Sequence, residues 1–313
     1  MIITSLYSFC FIYYVTIYSL IDEEYFWRRI YNFDIIKTLT RVSSFYCVSI
    51  MWTYLGQNFL IDAKIRSYIA DKILALYHAT WCEALIEIWP GKGSITKLIQ
   101  TISDHFFVID MDEQLIQNLE FRIQDSEIKN KNLEIISWDI LEVDVEKLLK
   151  EKNLSTSKTL IVGNLPYYIT SPILRKFFSA QTYAWWIFMV QDEVGLKIKS
   201  DAKKKSYLRR LLNYSCDVTY LKWVPAKCFK PAPKVKSCLI QLTIKDKQPT
   251  IPFEKVVEFL ELFAPFSRKT LGAIQKMIQK KSDIFFEIPT SLSSKRLEEL
   301  AWDDLTTILS ISS

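Results

Sequence analysis

Glycine is scarce in this chain, with 6 in 313 residues, where ordinary usage of ~7% gives about 22. Tryptophan, by contrast, occurs 9 times. Histidine is nearly absent. His78 and His105 lie far apart, and neither sits in a metal-ligand or triad pattern. Metal catalysis and Ser-His-Asp chemistry are therefore without support. The six cysteines show no C-x-x-C pairing, so they read as reduced thiols of a cytoplasmic protein rather than a disulfide framework. Internal repeats and low-complexity tracts are missing too.

Acidic residues are missing from long parts of the second half. Lys197 to Arg210 holds seven basic residues and one acid, Asp201. Lys222 to Lys236 holds five lysines and no acid, and Pro265 to Lys281 holds five basic residues and no acid. The net charge is only +5, so its distribution carries the signal: three basic blocks predict a polyanionic partner. A solvated surface explains any one block taken alone. Half of the residues are hydrophobic, enough for one large α/β domain and a smaller second one.

Residues 1–50 differ from the rest. Met1 to Ile21 carries no charge, a length that suits a membrane span. Yet Tyr, Ser and Thr are frequent, no Lys or Arg cluster precedes it, and no small-residue cleavage site follows. A membrane anchor, a packed helix and sequence read from too early a start all fit.

The chain is organised around Gly163-Asn164-Leu165-Pro166-Tyr167-Tyr168-Ile169-Thr170-Ser171-Pro172. The apolar run Leu160-Ile161-Val162 before it predicts a buried parallel strand. Asn164 offers a carbonyl that accepts hydrogen bonds. Pro166 restrains the turn, and Tyr167 offers a flat face for a base. Two acceptors aimed at an exocyclic amine, with a ring against the base, suit chemistry on the amino group of adenine or cytosine. A proline-containing loop with a core tyrosine is the plainer alternative.

Asn164-Leu165-Pro166-Tyr167 resembles the catalytic motif of amino-group methyltransferases that act on adenine. With Ile169 and Ser171-Pro172, the stretch is similar to the rRNA adenine N6,N6-dimethyltransferase family. Pro172 favours its small-subunit (16S) type over the antibiotic-resistance type that acts on large-subunit RNA. The resemblance runs from about Leu55 to the C-terminus.

It implies a class I, Rossmann-like methyltransferase: an α/β fold with a mainly parallel twisted sheet and a small C-terminal helical domain. The expected organisation is an extension over 1–50, a methyltransferase domain over 51–245 and a helical RNA-binding domain over 246–313, with a linker near 246–252. The implied cofactor is S-adenosylmethionine, and the implied partner is 16S rRNA in the small subunit or its precursor. Metal is not required, and a monomer is expected. Membrane association is expected only if residues 1–21 belong to the protein.

The resemblance also assigns residues. Gly56-Gln57-Asn58-Phe59-Leu60 matches the opening motif, whose Asn and Leu touch the methyl donor, which implies Asn58 and Leu60; Asp62 after it equally suits a helix cap. The strand Ala84–Ile88, the turn Trp89-Pro90-Gly91-Lys92-Gly93 and the helix from Ser94 form a nucleoside-binding corner. Asp110 lies about 19 residues after Gly91 and can accept from ribose hydroxyls, a spacing that also fits a nicotinamide dehydrogenase. Asp139 sits where the family's acid accepts from the adenine amine of the cofactor; it also suits a strand-end cap. Asn164, Leu165, Pro166 and Tyr167 are the catalytic set. Cys228-Phe229-Lys230-Pro231-Ala232-Pro233-Lys234-Val235-Lys236-Ser237 matches another family motif, in which Phe229 contacts the target base or plugs the core. Lys203, Lys204, Lys205, Lys234, Arg268 and Lys269 are expected on RNA phosphates. Further helices are expected around Val256–Phe263 and from Lys295.

Trp89 stands at the first glycine of the family's cofactor loop, and Trp138 stands where Gly-Asp is common. Trp52 and the pair Trp185-Trp186 are further places that suit glycine. An enzyme without its cofactor, a loop adapted to indole, and UGA codons read as glycine in the source organism each fit. A non-catalytic ribosome-assembly factor on the same fold is the alternative function.

Overall fold

The structure is a computed structural model that describes residues 58–124, 133–179, 183, 185–200, 206–245, 251–280 and 286–312. All of these fall in one compact unit, Leu55–Ser313. The expectations for residues 1–50, for Trp52, and for Lys203, Lys204 and Lys205 lie outside the described residues.

A short strand, β1 (Phe59–Leu60), precedes helix α1 (Ala63–Ala79). Asp62 caps the helix, its Oδ1 accepting from the Ile65 N–H at 2.9 Å. Ile65, Ile69, Ile73 and Tyr77 recur every fourth residue and form its buried face. At its other end the Trp81 N–H donates to the His78 carbonyl, and the Cys82 N–H to the Tyr77 carbonyl. This is a Schellman turn, with Trp81 in its left-handed position at φ 51°.

The sheet then builds through β2 (Ala84–Ile88), α2 (Thr96–Ile99), β3 (Phe106–Asp110), α3 (Glu113–Gln124), β4 (Leu133–Ser137), α4 (Val145–Glu151), β5 (Thr159–Asn164), α5 (Thr170–Ser179) and β6 (Trp185–Gln191). Next come α6 (Asp192–Ile198), α7 (Tyr207–Ser215), β7 (Cys216–Val224), β8 (Phe229–Lys230) and β9 (Ser237–Ile244). Seven strands pair in the order β4-β3-β2-β5-β6-β9-β7. The five strands from β4 to β6 are parallel, and β9 is antiparallel to both β6 and β7. Strands β2, β3 and most of β5 are buried on both faces, which is why they read as unbroken apolar runs. Ile86, Ile88, Phe107, Ile109 and Ile161 face one core, which α4 and α5 cover. Leu85, Phe106, Val108, Leu160 and Val162 face a second core, covered by α1. Strand order reverses between β2 and β5, so the carboxyl ends of these two strands open a crevice at a topological switch point.

β1 and β8 pair outside the main sheet, with Leu60 opposite Phe229. Of the two expectations for Phe229, base contact and core plug, the structure has the core plug. Its side chain is 3% exposed and packs in the second core with Leu60 and Leu239, so no ring face is free to stack.

The remaining elements are α8 (Phe253–Phe263), α9 (Leu271–Gln279) and α10 (Trp302–Ile311). They enclose a third core, in which Phe259 and Phe263 stack with centroids 4.2 Å apart and Leu271, Leu305 and Ile308 are fully buried. Leu211 and Tyr214 of α7 join that core. Arg210 of α7 donates to the carbonyls of Leu297 and Leu300, the latter at 3.0 Å. The helix expected from Lys295 is instead a single 3-10 turn, Leu297–Glu299. Leu300 is extended (ψ 133°) and breaks it, and α10 restarts with the Asp304 carboxylate accepting from the Ala301 N–H at 2.8 Å.

Candidate active site

The crevice between β2 and β5 is lined by Asn58, Leu60, Trp89, Gly91, Asp110, Asn164, Leu165, Pro166 and Tyr167. Residues drawn from four separate sequence stretches thus meet in one cleft. Each arrives for a local reason. Trp89, Pro90 and Gly91 follow the end of β2, Asp110 ends β3, and Asn164 ends β5. Asn58 and Leu60 are carried in by the β1–β8 pairing.

The loop after β2 is left-handed at alternate residues: Trp89 at φ 53°, Gly91 at φ 57° and Gly93 at φ 70°. At Gly91 a Cβ would come within 3.1 Å of the Phe59 ring, and at Gly93 within 2.3 Å of Leu119 Cδ1. Both positions therefore favour glycine by conformation, and a side chain at Gly93 would also have to displace Leu119. The Trp89 indole packs partly against the first core and also lines the cleft.

The Asn164 amide is fixed by its Nδ2, which donates to the Asn58 carbonyl at 3.2 Å. That leaves Oδ1 as the acceptor for an incoming donor. The Leu165 N–H donates to the Met189 carbonyl on β6 at 3.0 Å, which pins the next peptide. Pro166 holds φ −57° ahead of the turn Tyr167–Ile169. Tyr167 Oη and Ser237 Oγ are 2.6 Å apart, and Ser237 is fully buried on β9. Burial raises the Tyr167 hydroxyl above its ordinary value, and the Ser237 contact partly offsets this.

Two acids lie under the cleft. Burial pushes the Asp110 carboxyl up to about 6, although its Oδ1 accepts from the Asp112 N–H at 3.1 Å. Glu87, on β2, is 3% exposed, and burial pushes it up to about 7. Its Oε2 has no hydrogen-bond partner among the described residues. A buried acceptor of this kind suits a ligand bearing a cationic amine or hydroxyls, so the cleft's polar groups fit an amino-acid nucleoside such as S-adenosylmethionine.

Asp139 does not line the cleft. It follows β4, and its Oδ1 accepts from the Leu141 N–H at 2.9 Å, the strand-end cap that its position allows. The Trp138 N–H donates to the Asp110 carbonyl at 3.0 Å, which ties that loop to the end of β3. Lys234, Arg268 and Lys269 are exposed and lie outside the cleft. Glu87, Ser237 and the Asn58 carbonyl were not read as site groups from the sequence. Only Glu87 left a signal there, as an acid in an otherwise apolar strand beside a glycine turn.

The family model described as ribosomal RNA adenine dimethylase matches residues 51–298. The chain belongs to the ribosomal RNA adenine dimethylase family. Ribosomal RNA small subunit methyltransferase A of Clostridioides difficile (strain 630) is 36% identical over 222 residues, covering 69% of this chain and 74% of that protein. The protein of the same name from Mycoplasma mycoides subsp. mycoides is 33% identical over 261 residues, covering 80% of this chain and 93% of that one. Among solved structures, a dimethyladenosine transferase from Plasmodium falciparum aligns with a TM-score of 0.62 at 22% identity, covering 80% of this chain and 96% of that one. The 23S rRNA methyltransferase ErmE aligns at 0.51 with 21% identity, over 72% of this chain and 85% of that one. The fold is that of a class I methyltransferase. No helix among the described residues is long and apolar enough to cross a membrane, and no group of three or more His, Cys, Asp or Glu among them could hold a metal ion.

Proposed function

We propose that this chain transfers methyl groups from S-adenosylmethionine to the N6 amino groups of two adjacent adenosines of small-subunit rRNA, two methyls to each. The observation that carries the reading is the Asn164–Tyr167 turn at the end of β5, held in the same cleft as Asn58, Gly91 and Asp110. The family membership and the names of the relatives support the substrate.

Bound S-adenosylmethionine supplies an electrophilic methyl group, so the chain's own work is positioning. The adenine amine is a poor nucleophile because its lone pair is delocalised into the ring. Asn164 Oδ1 and the Leu165 carbonyl accept hydrogen bonds from the amine, two before the first transfer and one before the second, and favour a pyramidal nitrogen, with one proton released to solvent at each transfer. The Asn58 contact keeps the Asn164 amide from turning its NH2 group toward the substrate. Tyr167 stacks on the base once it has left its own stack, with its ring orientation held by Ser237. Asp110 accepts from the ribose, and Gly91 lets the backbone approach.

Residues 51–245 form the transferase domain in this reading, and residues 246–313 form a helical RNA-binding domain. Lys234, Arg268 and Lys269, with Lys203, Lys204 and Lys205, meet phosphates. The protein acts as a monomer in the cytoplasm.

One observation favours a second reading, a non-catalytic assembly factor: a tryptophan, Trp89, is among the residues that line the cleft. Incubation of the chain and of its Trp89→Gly form with labelled S-adenosylmethionine and unmethylated small subunits separates the two. Dimethyladenosine in the small-subunit rRNA is the expected product. No labelled adenosine with either form contradicts the transferase reading.

A further inference from the structure

Three described residues other than glycine have left-handed backbone: Trp81 at φ 51°, Trp89 at φ 53° and Asn153 at φ 58°. Asparagine is one of the few residues that tolerate this region, whereas a bulky aromatic there is an outlier. Asn153 also supplies an internal standard. It ends α4 in a Schellman turn, its N–H donating to the Lys150 carbonyl while the Leu154 N–H donates to the Leu149 carbonyl. Trp81 ends α1 with the same pair of bonds. Two equivalent turns thus carry asparagine in one case and tryptophan in the other, at a position that favours glycine.

Packing gives tryptophan no reason to be at position 81, where it is 83% exposed. At position 89 the tryptophan sits in a loop whose other two left-handed residues are both glycine, and it is one of the residues that line the cleft. The chain as a whole has 6 glycines and 9 tryptophans. The tryptophan codon UGG and the codon UGA differ by one base, and UGA differs by one base from the glycine codon GGA.

We infer that the native residues at positions 81 and 89 are glycine, encoded by UGA codons that the source organism reads as glycine. The backbone also limits the idea. Trp186 is fully buried and packs edge-on to Tyr183 with centroids 6.5 Å apart. Trp302 packs edge-on to Tyr214 at 5.8 Å. Both fill core space that glycine would leave empty, so they are tryptophan in the native protein, against the sequence expectation for the second residue of the Trp185-Trp186 pair. Trp138 is not left-handed, and its conformation accepts either residue. For position 89 the functional consequence rests on the cofactor cleft read above, whereas position 81 stands on backbone geometry alone.

One native peptide tests both positions. Trypsin cuts after Lys72 and after Lys92, and no Lys or Arg lies between them, so residues 73–92 leave as a single fragment. The protein is isolated from its own organism and this fragment is sequenced by mass spectrometry, alongside the gene. Glycine at both positions with UGA in both codons is expected, making the fragment lighter by two tryptophan-to-glycine replacements. Tryptophan at either position overturns the inference. Neither result depends on methyl transfer. A native protein with glycine at both positions that methylates no rRNA would count against the proposed function and leave the recoding intact.

Discussion

The Asn164 side chain donates through Nδ2 to the backbone carbonyl of Asn58 at 3.2 Å, across 106 residues of sequence. The Asn58 backbone therefore orients the Asn164 amide, in addition to lining the same cleft. A second long-range contact does the same for the ring: Tyr167 Oη meets Ser237 Oγ at 2.6 Å. Strands β1 and β8 join the two motifs that supply these partners. Two stretches that are far apart in sequence thereby form one support for a four-residue turn.

Ser237 is a positioning residue in this account. Ser237→Ala should lower kcat by up to about tenfold, the scale of one net hydrogen bond, with little change in KM for the cofactor. Ser237→Thr, which keeps a hydroxyl, should recover most of the loss. Equal losses in the Ala and Thr variants would mean that packing, and not the Tyr167 contact, is what matters there.

Stability should fall as pH rises through the acid range. Glu87 moves from an ordinary 4.5 to about 7, and Asp110 from 3.8 to about 6, both through burial. The folded chain thus holds these protons more tightly than the unfolded chain does. Their contribution is fully present below the ordinary values and is lost as pH climbs through the raised ones. In Glu87→Gln, the fall in Tm between about pH 5 and about pH 7 should be shallower than in the parent. Parallel curves for the two proteins would contradict the burial argument.

Tryptophans 81 and 186 should respond in opposite directions to the same change. Trp81→Gly relieves a left-handed strain of roughly 1–2 kcal/mol at an exposed site, so Tm should rise. Trp186→Gly empties a core position and should cost about 3–5 kcal/mol or more. Thermal melts of the two variants check this, and a lowered Tm for Trp81→Gly would contradict the turn assignment.

RNA affinity should depend steeply on salt. Arg268 and Lys269 are exposed at the turn before α9, and replacing both with alanine should shallow the log–log salt slope by roughly 1–2. A slope that is unchanged would remove them from the interface.

Much of this architecture was legible in the sequence because its signals are local. Ala84–Ile88 and Leu160–Val162 are buried on both faces and read as strands from their apolar runs. Asp62 stands next to the helix that it caps. β7 was not legible. The bulge between Tyr220 and Lys222 breaks its alternation and leaves Lys222 and Trp223 among apolar neighbours. Phe229 was ambiguous because a core plug and a base platform use the same side chain, and only the pairing with Leu60 decides between them. Ser237 was invisible, since its partner lies 70 residues away. Trp81 hid a helix end because the glycine that would mark it is not written there.

The most direct measurement of the central claim is the dimethyladenosine content of small-subunit rRNA from cells in which the only copy of this protein, in its native form, carries Asn164→Ala. Losing one preorganised acceptor should reduce transfer by roughly two orders of magnitude or more, so the modified adenosines should disappear while the variant still binds the small subunit. Dimethyladenosine at the parent level in those cells would contradict the assignment of Asn164 as the group that receives the target amine.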